Sequence, residues 1–220
     1  MISYHPDSRL LTEYSAGSLA LAQSVCVSLH LGYCEQCQRQ ARQLQQVGAS
    51  FFENLSPEPV DEKMLDSILS RLDEPAPLSY ETTSEPHHSP GVKPPLVQRL
   101  MKGDYEDLNW KRIGSAVQIS HLKTGDVDNE FALYHIKAGR SVPQHTHRGT
   151  ELTLVLEGSF SDEEGIYQVG DFLIRDAKDI HTPTATQSAD CICIGVLDAP
   201  IRFTRWNYWL LNPFMRLQAS

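Results

Sequence analysis

The chain has 220 residues, 40% of them hydrophobic and 21% charged, and carries a formal net charge of −9. That length suits two small domains with their own cores, and the acidic balance argues against direct nucleic-acid binding, which draws on Lys and Arg, while suiting a basic protein partner. No apolar run reaches the about 20 residues a membrane helix needs, and residues 1 to 7 lack the basic and apolar regions of a secretory signal, so no membrane association is predicted and the expected location is the cytoplasm.

Residues 7 to 72 read as helical. Leu10, Leu11 and Tyr14 follow Asp7, a suitable N-cap. Leu19, Ala22, Val25, Cys26, Leu29 and His30 continue the spacing behind Ser18, with Gly32 as the stop, and Cys26 reads as core. A third helix is predicted from Cys34 to Asn54, with Ala41, Leu44, Val47, Phe51 and Phe52 on one face. A fourth, from Asp61 to Leu72, carries the stripe Met64, Leu65, Ile68, Leu69 and Leu72, either core or a partner-docking face. Six prolines between Pro75 and Pro95 then mark a linker. Beyond it the period changes to two: Phe131, Leu133 and His135 alternate with Ala132, Tyr134 and Ile136, and Leu152, Leu154 and Leu156 with Glu151, Thr153 and Val155. Phe172–Ile174 and Cys191–Leu197 are further short runs, and repeated glycines punctuate them, which predicts an antiparallel sandwich or barrel. Residues 206 to 219 read as an aromatic helix packed on it. The expected fold class is multi-domain, α plus β: a helical module over 1–75, a linker over 76–95 and an all-β domain over 96–220.

Two clusters carry chemistry. The first is His30-x3-Cys34-x2-Cys37, with His5 upstream. Cys34 and Cys37 fall one helical turn apart, and His30 can reach them across the Gly32 turn. With His5 they make a His2Cys2 set, which zinc favours; four protein ligands leave no open position, so the site reads as structural. A helical module this short has a thin core, and a metal staple is a natural remedy. The other readings are a redox Cys-x2-Cys, which needs a strand before its helix, and incidental cysteines.

The second cluster is His145, His147 and Glu151 within Gly139-x5-His-x-His-x3-Glu-x6-Gly158, joined by His181 after Gly170. His145 and His147 share strand parity, and Glu151 re-enters on the next strand toward the same interior. Three imidazoles and a carboxylate suit a divalent metal: zinc, manganese, iron or nickel. Cys191 and Cys193 share a face of one strand, either as core or as a redox pair.

The first cluster resembles the signature of the zinc-binding anti-sigma domain, over about residues 1 to 75. The second matches the first cupin motif at every defined position; the second cupin motif keeps Gly170 and His181 but has Asp176, Lys178 and Ala185 where Pro, Gly and Asn are usual. Together they resemble the ChrR family of anti-sigma factors. The resemblance implies a helical zinc module ahead of a jelly-roll cupin. It also implies an extracytoplasmic-function sigma factor as partner, released on oxidative stress such as singlet oxygen or organic peroxide, with no enzymatic activity. Cys191 and Cys193 resemble a cysteine pair in the family's C-terminal domain. The competing expectation is a cupin metalloenzyme of the dioxygenase kind with an accessory helical domain.

Overall fold

A computed structural model of the chain describes residues 2–72, 105–113, 115–206 and 217. Four helices come first: α1 (Ser8–Ser15), α2 (Leu21–Leu31), α3 (Glu35–Phe52) and α4 (Glu62–Leu69). Twelve strands follow: β1 (Lys111–Ile113), β2 (Val117–His121), β3 (Glu130–Ile136), β4 (His145–His147), β5 (Glu151–Glu157), β6 (Ser159–Ser161), β7 (Ile166–Gln168), β8 (Phe172–Arg175), β9 (Ile180–His181), β10 (Thr184–Ala185), β11 (Cys191–Leu197) and β12 (Ile201–Phe203). The predicted linker and nearly all of the predicted C-terminal helix lie outside the described residues.

Local chemistry fixes the helix ends. Asp7 caps α1 by accepting the Leu10 N–H at 2.7 Å. At its other end Gly17 takes φ +69°, its N–H reaches the Tyr14 carbonyl, and the Ser18 N–H reaches that of Glu13. This is a Schellman stop, and it consumes Ser18, whose hydroxyl also bonds the Glu13 carbonyl. Ser18 therefore does not cap the second helix, which begins later than the sequence suggests, behind Ala20 and without a cap of its own. The cap comes instead from Asp126 in the β2–β3 loop, whose Oδ2 accepts the Ala22 N–H at 3.0 Å. A carboxylate there also complements the helix dipole. Gly32 ends α2 as predicted, and does so with ordinary helical φ.

The strands form a six-stranded antiparallel sheet, ordered β1-β2-β3-β11-β5-β8, and two three-stranded sheets, β10-β6-β7 and β12-β4-β9. The alternation read in β3 and β5 is present, but both faces are buried. Leu152, Leu154 and Leu156, with Phe131, Leu133, Ile194 and Val196, point outward into one cluster shared with Leu10, Leu11, Ala22, Cys26, Val27 and Leu29. The opposite face carries Ile136, Val155, Leu173 and Cys191, packed with Phe160 and Tyr167. α2 is apolar nearly all round because it lies between the other helices and this sheet. Its residues Ala22, Cys26, Val27 and Leu29 are wholly enclosed. Truncating one such leucine would cost about 2–5 kcal/mol.

The rest of the predicted helical core is open. In α3 only Cys37 and Ala41 are fully buried. Phe51 and Phe52 are 70% and 73% exposed, and the whole stripe of α4, from Met64 to Leu69, faces solvent. Among the described residues no helix is long and apolar enough to cross a membrane.

Candidate metal centres

The first cluster assembles where three elements meet. His5 arrives on the segment before α1, His30 stands in the last turn of α2, and Cys34 and Cys37 open α3 as N-cap and first-turn residue. The Cys34 Sγ accepts the Cys37 N–H at 3.4 Å, the local bond that makes a cysteine serve as a helix cap. The His5 Nδ1 lies 3.4 Å from both sulfurs. One ligand atom from each of the four residues lies within 4.8 Å of the others. A tetrahedral ion with Zn–S and Zn–N bonds of about 2.3 and 2.0 Å separates its ligand atoms by roughly 3.3–3.8 Å, so the sulfur–imidazole spacing fits. His30 supplies a second test. Its Nδ1 donates to the Gly170 carbonyl at 2.8 Å, which leaves Nε2 as a bare acceptor. That Nε2 is buried and has no hydrogen-bond partner. Burial presses the His30 pKa down to about 4 and lifts the Cys37 thiol to about 12, with Cys34 adding to the latter. Neutral imidazole is the ligating form, and a cation is what would draw the thiols into theirs.

The second cluster lies on the inner face. β4 carries His145 and His147, the start of β5 carries Glu151, and β9, paired with β4, sets His181 directly opposite His145. The Nε2 of His181 lies 3.0 Å from that of His145 and 3.2 Å from that of His147. The Glu151 Oε2 lies 3.2 Å from the His147 Nε2 and 3.9 Å from that of His181. The outer nitrogens settle the tautomers. His145 Nδ1 faces the Pro143 carbonyl at 2.9 Å, which can only accept, and His181 Nδ1 faces the Asp162 carboxylate at 3.2 Å. With both rings neutral the two Nε2 atoms present lone pairs to each other, an arrangement that a proton or a metal ion between them relieves. Burial, then His181, takes His145 down to about 4, and burial, then His145, takes His147 to about 3. Burial also raises the Glu151 carboxyl. Its Oε2 is buried without a hydrogen-bond donor. One ligand atom from each of the four residues lies within 4.8 Å of the others, which makes them a candidate donor set for a divalent ion.

Sequence reasoning missed the residues behind the ligands. Asp162, its side chain fully enclosed, also accepts from Tyr167 Oη at 2.8 Å and Arg175 at 3.0 Å. Its hydrogen bonds outweigh burial and hold its pKa well below the usual carboxylate range. In sequence it belongs to Ser161-Asp162-Glu163-Glu164, which looks like any acidic surface turn; no spacing signal marks it. A cavity of about 60 Å³ adjoins this cluster, walled by Ile136, Val142, Phe160 and Leu173, with Cys193 beside Glu151 and His145. Cys191 is fully enclosed. The Cys191 side chain, and then burial, hold the Cys193 thiol far above its ordinary range, so Cys193 offers no ready thiolate.

The family model of the ChrR cupin-like domain matches residues 98–199. Over 216 residues the chain is 37% identical to the anti-sigma-E factor ChrR of Cereibacter sphaeroides, spanning 98% of this chain and 99% of that protein. The chain belongs to the ChrR family. The structure of Rhodobacter sphaeroides SigE in complex with the anti-sigma ChrR matches it with a TM-score of 0.77 at 36% identity, over 90% of this chain and 99% of the matched chain. The match spans the helices and the cupin together; in this chain Cys34 and Cys37 belong to the core shared by helices and sheet, and His145, Glu151 and His181 line the inner cavity.

Proposed function

We propose that this chain is a cytoplasmic anti-sigma factor that binds and inhibits an extracytoplasmic-function sigma factor, and releases it under oxidative stress. It acts as a regulator, not an enzyme. The observation that carries the reading is its full-length relationship to an anti-sigma-E factor, one of whose kind is seen bound to SigE. The surface supports it. Phe51 and Phe52 on α3 and Met64, Leu65 and Ile68 on α4 are each at least half exposed, so both helices present large apolar side chains to solvent. Two amphipathic helices of that kind are a grip for another protein's apolar groove.

In this reading residues 1–75 are the sigma-binding module, 76–95 the tether and 96–220 the sensing cupin. His5, His30, Cys34 and Cys37 hold a structural zinc, and His145, His147, Glu151 and His181 hold a divalent metal, zinc ahead of manganese, iron or nickel. The first ion would staple α2 to α3; the second would supply a Lewis-acid or redox centre beside the small cavity. Cys191 and Cys193 respond to oxidant only after the cupin has opened, because buried thiols are poor nucleophiles. The test is transcription in vitro by core RNA polymerase with an extracytoplasmic-function sigma factor of the same host. Stoichiometric addition of the purified full chain suppresses transcripts, and an oxidant restores them. Failure to form a complex with any such sigma factor of the host defeats the reading.

A further inference from the structure

The first cluster does not stand on the helices alone. The Asp171 carboxylate, 2% exposed, accepts the backbone N–H groups of Ser3 and Tyr4 at 2.7 and 3.1 Å through Oδ1, and that of Gln168 at 2.8 Å through Oδ2. The Phe172 N–H donates to the Tyr4 carbonyl at 3.0 Å, so the segment leading into His5 lies along β8, the edge of the large sheet. The preceding residue, Gly170, gives its carbonyl to His30. Its φ of +89° favours glycine, and a Cβ there would come within 3.1 Å of the Ile2 and Tyr33 side chains. One cupin turn, Gly170–Phe172, thus bonds the His30 ring directly and holds the backbone of Ser3 and Tyr4, the two residues before His5.

The same turn is tied to the second cluster. The Tyr4 ring packs edge-on against Tyr167 with centroids 4.7 Å apart. Tyr167 donates to Asp162, and Asp162 accepts from His181. Arg175, at the far end of β8, bonds Asp162 and pairs in register with Glu151. From Tyr4, the backbone neighbour of His5, to His181 every step is a direct side-chain contact, through Tyr167 and Asp162.

We propose that Asp171 and Tyr167 are positioning residues that couple the first metal centre to the second, so that a change at His181 loosens the hold of His5 and His30 on their ion. This rests on the reading of both clusters as metal sites, and it gives the proposed release a route through packed side chains that needs no signal along the linker. The physical basis is that buried polar partners act together: removing one leaves the next unsatisfied, and groups behind a ligand commonly set affinity by 10–100-fold.

Cobalt(II) loaded into the full-length protein separates the centres, because thiolate-to-cobalt charge-transfer absorption arises only where Cys34 and Cys37 are ligands. The rate at which that band decays in excess chelator is the readout. In Asp171→Ala the band decays about tenfold faster than in wild type, while the cupin keeps its metal. His181→Ala, which empties the cupin, also speeds the decay severalfold, but adds nothing once Tyr167→Phe is present. Tyr167→Phe keeps the ring against Tyr4 and removes only the hydroxyl, so it tests the relay where an alanine variant could fail to fold. Wild-type decay in both Asp171→Ala and His181→Ala overturns the proposal, as do effects of His181→Ala and Tyr167→Phe that multiply independently. Absence of the band from wild type would sink the metal reading as well. Coupled decay in a chain that binds no sigma factor would sink only the anti-sigma reading.

Discussion

Asp162 Oδ2 stands 3.2 Å from the Nδ1 of His181, fixing the imidazole so that its Nε2 faces His145 and His147. A carboxylate behind a histidine ligand holds the tautomer and strengthens the donor. Asp162→Ala is therefore expected to weaken the second centre by about 10–100-fold while leaving the first occupied. Competition with a chromophoric chelator, read separately for the two centres, checks it; unchanged affinity at the second would show that Asp162 is only structural.

Removing the sulfurs tests the other centre. Cys34→Ala with Cys37→Ala is expected to abolish metal retention by the first cluster and to weaken binding to the sigma factor at least tenfold, with the cupin metal still bound. Elemental analysis and a binding titration on one sample decide it. Full inhibition by the double variant would mean that the first cluster is not needed to shape the grip.

Leu65 and Ile68 are 62% and 55% exposed on α4. Leu65→Asp with Ile68→Asp should leave the melting temperature within about 2 °C of wild type, since surface changes of this kind typically cost under 0.5 kcal/mol. The same pair should cut sigma-factor affinity by 100-fold or more, on the order of a hot-spot loss. A large drop in stability would instead place α4 in a core.

Glu151→Ala or His145→Ala is expected to leave sigma binding intact and to remove its reversal by oxidant. Transcription assays with and without singlet oxygen or an organic hydroperoxide distinguish the two effects. Normal release in either variant would take the sensing role away from the cupin metal.

Acid should act on the metal-stripped protein in a defined window. His30 and His145 titrate near 4 and His147 near 3 in the fold, against 6.5 for a free imidazole. Below 6.5 the unfolded chain thus binds more protons than the folded one, so stability falls as pH drops from 6.5 toward 4 and is unaffected by these groups above it. Thermal melts of chelated protein at stepped pH should show that fall. A flat profile across the window would mean the three imidazoles are not held neutral.

Much of this protein was legible as residue order, because the signals are local. Asp7 capping α1, the one-turn separation of Cys34 and Cys37, and the strand parity of His145 and His147 each depend on neighbours a few positions away. So does the alternation that separates Leu152 and Leu154 from Glu151 and Thr153. What tertiary structure decided is which side each face meets. The leucines of β5 turn out toward α2, and the polar residues turn in toward His145, His147 and His181, so both faces are buried and the helices share a core with the sheet. The cap of α2 comes from Asp126, more than a hundred residues away, because the nearer candidate Ser18 is consumed by the stop of α1. Likewise Asp162 behind His181 and Gly170 behind His30 leave no pattern in the sequence. A buried ligand needs some acceptor behind it, and any acidic side chain or carbonyl that folding brings within 3 Å or so can serve.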